Sequence, residues 1–398
     1  MFGHGAQRYV LHAGFDAFCV AVERACNPSL RGRPVVIGGT PQARGVVMAA
    51  SHEARLCGIW PSMPVSRAAK LCHDLVIVQG NDDLYRRAAR AVTSHLQKYS
   101  PLYERPSTDE AYLDLTGIER LFGAVVDVGA RLRREIIDQY RLELTVGVAS
   151  NKLVSRVASE EARPGGIHDV PPGGEAGFLA PLPIIRLPGV GPATAQRLVE
   201  FNIETIHELA GTEPVILERI LGRRGRLLHA HAQGVDDSPV GERQSIDGIE
   251  NSETLAEDSN DLNALSVVVF RCVERVGARL RAQGLMARGI GLTVGYVDGV
   301  RTSGSMRLDV PTDIDHVLNE SAELLIPRVV SRRLAVRHVA VRAGRLTESV
   351  PQLGLFTQGR GYERSRSLLG AIDRIRRTHG VTAIGWAHVA GPACGAAA

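Results

Sequence analysis

Leu11-His12-Ala13-Gly14-Phe15-Asp16-Ala17-Phe18 and, far downstream, Ser107-Thr108-Asp109-Glu110-Ala111-Tyr112-Leu113-Asp114 are the two stretches on which the fold turns. Tyr9–Phe15 reads as a strand that ends at Asp16. In Glu110–Leu115, residues Ala111, Leu113 and Leu115 alternate onto one face, the period of a second strand. If the two strands are neighbours, an acid that ends one and an acid pair that begins the other meet from distant positions. Hard divalent cations need such oxygen clusters, and Mg²⁺ is usually held by one or two carboxylates together with substrate phosphates. Acid pairs are common on protein surfaces, so the context has to decide.

Working outward, Ala17–Ala25 has helical character, and Pro34–Gly39, Val46–Ala50 and Leu75–Val78 are short strands. Ser51–Leu56, Val65–Leu71, Asp83–Tyr99, Ile118–Tyr140 and Asn151–Ala162 read as helices, with Leu142–Ala149 a further strand. That order predicts an α+β sheet of split βαβ type with helices on one face. Pro164-Gly165-Gly166 and Pro171-Pro172-Gly173-Gly174 mark a boundary. Beyond it, Leu187-Pro188-Gly189-Val190-Gly191 leads into a helix, with another at Thr205–Leu209. This is the pattern of a helix-hairpin-helix, in which Gly189 and Gly191 let backbone N–H groups approach a phosphate. Gln233–Arg243 reads as a polar linker. A second α+β domain follows, with a long helix marked by Leu262, Leu265, Val269, Cys272, Val276 and Leu280. Two strands flank the turn Asp298-Gly299, then come a helix over Asp313–Ile326 and a strand over Leu334–Val341.

At 398 residues, 44% hydrophobic, the chain can build several cores and does not have a disordered composition. Its net charge of +4 alone names no partner. The distribution says more: Leu324–Thr347 has no acid but carries Arg328, Arg332, Arg333, Arg337, His338, Arg342 and Arg345, a stripe able to follow a phosphate backbone. None of the six cysteines forms a CxxC pair, so reduced thiols are expected. No apolar run is long enough to span a membrane, and Met1–Tyr9 does not read as a signal peptide, so a cytoplasmic location is expected.

The two opening stretches resemble the palm motifs of Y-family, lesion-bypass DNA polymerases of the bacterial polymerase IV type. Ala49–Arg55 with Gly58 and Ser62-Met63-Pro64 is similar to the family's finger motif, and Val146–Lys152 with Ala158–Gly165 to the end of its palm. Leu187–Gly191 is similar to its thumb, and Ser245–Thr254 to the entry of its little finger. The likeness runs from about Tyr9 to Phe356. It implies a right-hand polymerase with a ferredoxin-like palm (1–27 and 81–165), small fingers (28–80) and a helical thumb with a helix-hairpin-helix (166–233). A linker (234–242), a separate α+β little finger (243–346) and a tail (347–398) complete it. The implied activity is template-directed, low-fidelity DNA synthesis past damaged bases, with Mg²⁺ or Mn²⁺ as cofactor and primer-template DNA and deoxynucleoside triphosphates as partners.

The same resemblance places metal ligands at position 14, at Asp109 and Glu110, and at the Phe15 carbonyl, with Asp109 and Glu110 as catalytic residues. The family has aspartate where this chain has Gly14; Asp16, two residues on, is a candidate to lean in. Nucleotide-binding positions fall on Phe18, Cys19, His52, Arg55 and Arg163. Cys19 stands where the family has the aromatic residue that blocks a ribose 2′-hydroxyl, so weak sugar discrimination is expected; His52 replaces a tyrosine and Arg163 a lysine. Gly189, Gly191, Arg337 and Arg342 are the DNA-binding candidates. Gln352-Leu353-Gly354-Leu355-Phe356 resembles the peptide that docks bacterial polymerases on the sliding clamp. Leu368–Thr378 reads as a basic amphipathic helix without an assigned role. A monomer is expected. The departures leave a second reading: a silent accessory protein that holds DNA and the clamp and recruits another polymerase.

Overall fold

The computed structural model describes residues 7–39, 45–118, 123–241, 248–348, 359–380 and 383–386. The chain divides into two compact units, Met1–Arg243 and Gln244–Ala398.

The first unit is organised around β1 (Val10–Phe15), every residue of which is buried. β6 (Glu110–Asp114) and β7 (Leu144–Ala149) flank it antiparallel; β5 (Tyr103–Glu104) and β8 (Ile167–Asp169) complete a sheet of order β5-β6-β1-β7-β8. Alternation sends Leu11, Ala13 and Phe15 into a core shared with Leu96, Leu132, Ile136 and Val146. Each of these leucine, isoleucine, valine and phenylalanine side chains contributes about 1.5–3 kcal/mol by leaving water. His12 and Gly14 face the other way, towards the helix Lys152–Glu161. That helix lies directly on β7: a Cβ at Gly147 would be 2.0 Å from the Ser155 carbonyl, so only a bare backbone permits this approach. A small sheet of order β3-β2-β4 carries β2 (Val35–Gly38), β3 (Val47–Ala50) and β4 (Val76–Val78). The short helices His52–Leu56 and Val65–Leu71 cover it. Helices from Glu175–Leu179 to Arg224–Ala232 enclose a separate core containing Leu198, Ile206, Leu209 and Leu217.

The second unit is a sheet of order β11-β10-β12-β9, built from β9 (Gly248–Ser259), β10 (Leu285–Tyr296), β11 (Arg301–Thr312) and β12 (Val336–Glu348). The helix Leu262–Ala282 packs against it. The predicted terminal helix is longer than expected, Gly359–His379, and Leu369 and Ile372 seat it against Ile314.

Most predicted elements are present, and the differences have local causes. The helix expected from Ile118 begins at Val125, because Gly117 and Gly123 take left-handed conformations (φ 78° and 83°). The strand expected to stop at Val341 runs to Glu348, paired with β9 as far as Gly344 and with β10 to its end. The helix expected over Asp313–Ile326 is split into Asp315–Glu323 and Ile326–Val329. The linker is not a free tether: Val240 is buried with Val10 and Tyr112, and Arg8 donates to the Ser238 carbonyl at 2.6 Å.

Candidate active site

Register decides which acids meet. Gly14 lies opposite Glu110, and the Phe15 N–H donates to the Asp109 carbonyl at 2.7 Å. The end of β1 and the start of β6 therefore come together, as the sequence predicts.

Glu110 is held from two sides: its Oε2 lies 3.4 Å from His12 Nε2 and 3.5 Å from Arg156 Nη2. His12 is buried, tilted on Tyr112 with ring centres 4.7 Å apart, and its Nδ1 is 2.5 Å from Ser159 Oγ. Burial pushes the His12 imidazole below its ordinary value. The contact with His12, reinforced by the charges of Arg156 and Arg163, holds Glu110 below the usual carboxylate range, so it is ionised near neutrality. Asp109 accepts a hydrogen bond from Ser107 at 2.6 Å.

A Cβ built on Gly14 would meet Arg163 Nη2 at 3.2 Å and Ser159 Oγ at 3.6 Å. The guanidinium thus lies over the bare backbone from which an aspartate would project. The expectation that Asp16 leans towards the acid pair needs correction. Ala17 is left-handed (φ 46°), so the chain leaves the strand at Asp16 and the strand's alternation stops there. Asp16 Oδ1 instead lies 3.6 Å from Arg163 Nη1 and 3.8 Å from Arg55 Nη1. Neither Asp16 Oδ1 nor Arg55 Nε, both buried, has a hydrogen-bond partner among the described residues.

Among the described residues no three His, Cys, Asp or Glu side chains converge as a ready-made metal cage. The donor set instead fits one hard cation on the adjacent carboxylates of Asp109 and Glu110, completed by substrate phosphate.

The other nucleotide candidates are placed in different ways. Burial, then the charges of Asp109 and Asp82, pushes the Cys19 thiol up to about 11, which leaves it a small neutral group beside the acids. Phe18 is buried edge-on to Phe15, ring centres 5.6 Å apart. Its side chain is therefore committed to the core, and what it can offer a nucleotide is its N–H in an uncapped first helical turn. His52 is exposed at the start of its helix, and Arg55, three residues on, shares its face. Sequence reasoning missed His12, Arg156 and Ser159. The signal for two of them was present: Arg156, Ser159 and Arg163 recur at helical spacing on one face.

The DNA candidates divide. Gly189 is left-handed (φ 98°) and Gly191 precedes the helix Pro192–Val199, as the hairpin reading requires. Arg337 is bound to Asp258 through two contacts, at 3.0 and 3.2 Å, so it is not the open cation the stripe suggested. Arg342 instead lines a cavity of about 400 Å³ with Arg307 and Arg345, over Gly289, Gly291 and Gly344. Gln352, Leu353, Leu355 and Phe356 lie outside the described residues.

Residues 14–160 match the impB/mucB/samB family, residues 247–355 the C-terminal domain of that family, and residues 185–236 a DNA polymerase-iota thumb domain. A DNA polymerase IV of Dehalococcoides mccartyi (strain CBDB1) is 32% identical over 378 residues, covering 95% of this chain and 96% of that protein. The chain belongs to the Y family of DNA polymerases. Another member, a DNA polymerase IV of Halorhodospira halophila, is 38% identical over 291 residues, 73% of this chain and 82% of its own length. Among solved Y-family structures, a chimera of the polymerases Dbh and Dpo4 matches with a TM-score of 0.77 at 23% identity, over 85% of this chain and 99% of its own. The α+β right-hand architecture is thus that of the family.

Proposed function

We propose that this chain is a DNA-directed DNA polymerase that copies damaged templates at low fidelity, and that Gly14 makes it slow. The observation that carries the reading is the register that sets Asp109-Glu110 against the end of β1, with Arg55 and Arg163 close by. Asp109, Glu110 and the Phe15 carbonyl would hold a magnesium ion, which when bound neutralises charge developing on the phosphate oxygens. The chain's own residues do the rest. His12 and Arg156 fix the Glu110 carboxylate. Arg55, Arg163 and His52 hold the triphosphate, and the Phe18 N–H at the start of its helix adds a backbone donor. Cys19 leaves room beside the sugar, so ribonucleotides are poorly excluded. Losing one carboxylate of a metal site slows the reaction roughly 10²- to 10⁵-fold, at ~1.4 kcal/mol per tenfold.

The domain limits are those expected from the sequence, except that the palm extends to Asp169, since β8 belongs to its sheet. Gly189 and Gly191, together with Arg307, Arg342 and Arg345, contact the DNA backbone. Gln352–Phe356 docks on the sliding clamp, and the protein works as a cytoplasmic monomer with another polymerase as a further partner. The accessory reading loses ground to the retention of both Asp109 and Glu110. The test is primer extension opposite undamaged and abasic template positions in Mg²⁺ and in Mn²⁺. Extension by the wild type that Asp109→Ala abolishes supports the enzyme. Absence of extension in both metals refutes it.

A further inference from the structure

Behind the triphosphate candidates the first unit contains a cavity of about 660 Å³, within the size range of small-molecule sites. It extends from Asp16, His52 and Arg55 to residues that the nucleotide reading does not use. Five arginines line it (Arg24, Arg31, Arg55, Arg133 and Arg141) against two acids, Asp16 and Glu143. Their pairing is uneven. Arg24 is tied to Glu53 at 2.7 Å. Arg133 donates from Nε to the Leu144 carbonyl at 3.0 Å and has only a long contact, 3.6 Å, with Glu143. Arg31 and Arg141 are exposed, and their side chains have no hydrogen-bond or ion-pair partner among the described residues.

One loop joins the two ends. Arg163 reaches forward to Asp16 at 3.6 Å. Two residues later Gly165 is left-handed (φ 66°), and a Cβ there would be 3.1 Å from Arg133 Nη2. The bare glycine lets the rear guanidinium approach the same loop that carries the front one. Behind the triphosphate site arginine still outnumbers acid, with Glu143 the one carboxylate against Arg24, Arg31, Arg133 and Arg141 in the lining.

We propose that the rear of this cavity, formed by Arg31, Arg133 and Arg141, binds inorganic pyrophosphate as it leaves the nucleotide site. The choice of a small polyphosphate follows from charge and continuity. The side chains of Arg31 and Arg141 are not committed to partners among the described residues, Arg133 is held only by a backbone carbonyl and a long carboxylate contact, and the space they line opens onto the triphosphate candidates; arginine forks suit phosphate oxygens. The identity of the ligand rests on the polymerase reading; the existence of the anion site does not.

The test is titration calorimetry of the full chain with sodium pyrophosphate, without divalent metal, with sulfate as the comparison anion. Arg141→Asn keeps a residue that tolerates the left-handed backbone at that position (φ 58°) and, combined with Arg31→Ala, should weaken pyrophosphate at least tenfold. Glu143→Gln, which removes a repelling carboxylate, should tighten it severalfold, a gain that misfolding cannot produce. Pyrophosphate affinity unchanged in both variants, or sulfate bound as tightly as pyrophosphate, overturns the proposal. Primer extension on the same preparations separates the two readings: an inactive chain that still binds pyrophosphate through Arg31 and Arg141 refutes the polymerase alone, and an active chain whose pyrophosphate binding ignores them refutes the rear site alone.

Discussion

The ion pairs of the second unit and those of the acid site are built to different tolerances. Arg281 is buried, 2.6 Å from Asp315 and 2.6 Å from Asp373, and ties the helix Leu262–Ala282 to the terminal helix. Arg376 adds a 2.7 Å contact to Glu274. At the acid site every comparable contact is longer: 3.4 and 3.5 Å at Glu110, 3.6 and 3.8 Å at Asp16. The partners there are also partly exposed, apart from His12. Short dry pairs hold the fold. Long, half-wet pairs keep Glu110 ionised and guanidinium groups in place while leaving both able to exchange their partners for a cation and a phosphate.

The largest effect should therefore come from a fold-holding pair. Arg281→Ala strands the buried Asp315 and the half-buried Asp373 and should destabilise the second unit by about 3–5 kcal/mol, measured by chemical denaturation. Arg156→Ala, at the loose site, should change stability by about 1 kcal/mol or less. Equal losses would erase the distinction. Next is the sugar gate. Cys19→Phe should raise the preference for deoxynucleotides over ribonucleotides by about tenfold or more, ~1.4 kcal/mol, measured as a ratio of single-nucleotide incorporation efficiencies. An unchanged ratio would remove Cys19 from the sugar site. The smallest effect concerns DNA. Replacing Arg342 and Arg345 together by alanine should reduce the slope of log affinity against log salt by about 0.9 per lost phosphate contact. Arg337→Ala should change it less, since Asp258 already occupies that guanidinium. The opposite order would restore the stripe as first read.

What was legible in the sequence follows what is local. β6 declares itself by alternation, and strand-end logic alone brings Asp109 and Glu110 to Gly14. What was not legible depends on contacts between distant elements. His12 becomes part of the site only because Gly147 lets a helix lie on the sheet and bring Ser159 to its ring. Arg337 looked open because Asp258, its partner, lies 79 positions away. Arg307 joined the groove only once β11 had paired with β10 to set it opposite Gly289. Position 14 was readable as a missing carboxylate, but that Arg163 covers the gap was not.

That gap gives the most direct test. Single-turnover incorporation of a correct deoxynucleotide in Mg²⁺ should be measured for the wild type, Gly14→Asp and Asp109→Ala. The Arg163 atom nearest the new side chain is the far end of a flexible residue, so aspartate at 14 can be accommodated. The account predicts slow but measurable incorporation by the wild type, an increase of at least about tenfold in Gly14→Asp, and none in Asp109→Ala. Wild-type incorporation that survives Asp109→Ala, or a Gly14→Asp rate no higher than the wild type, would contradict it.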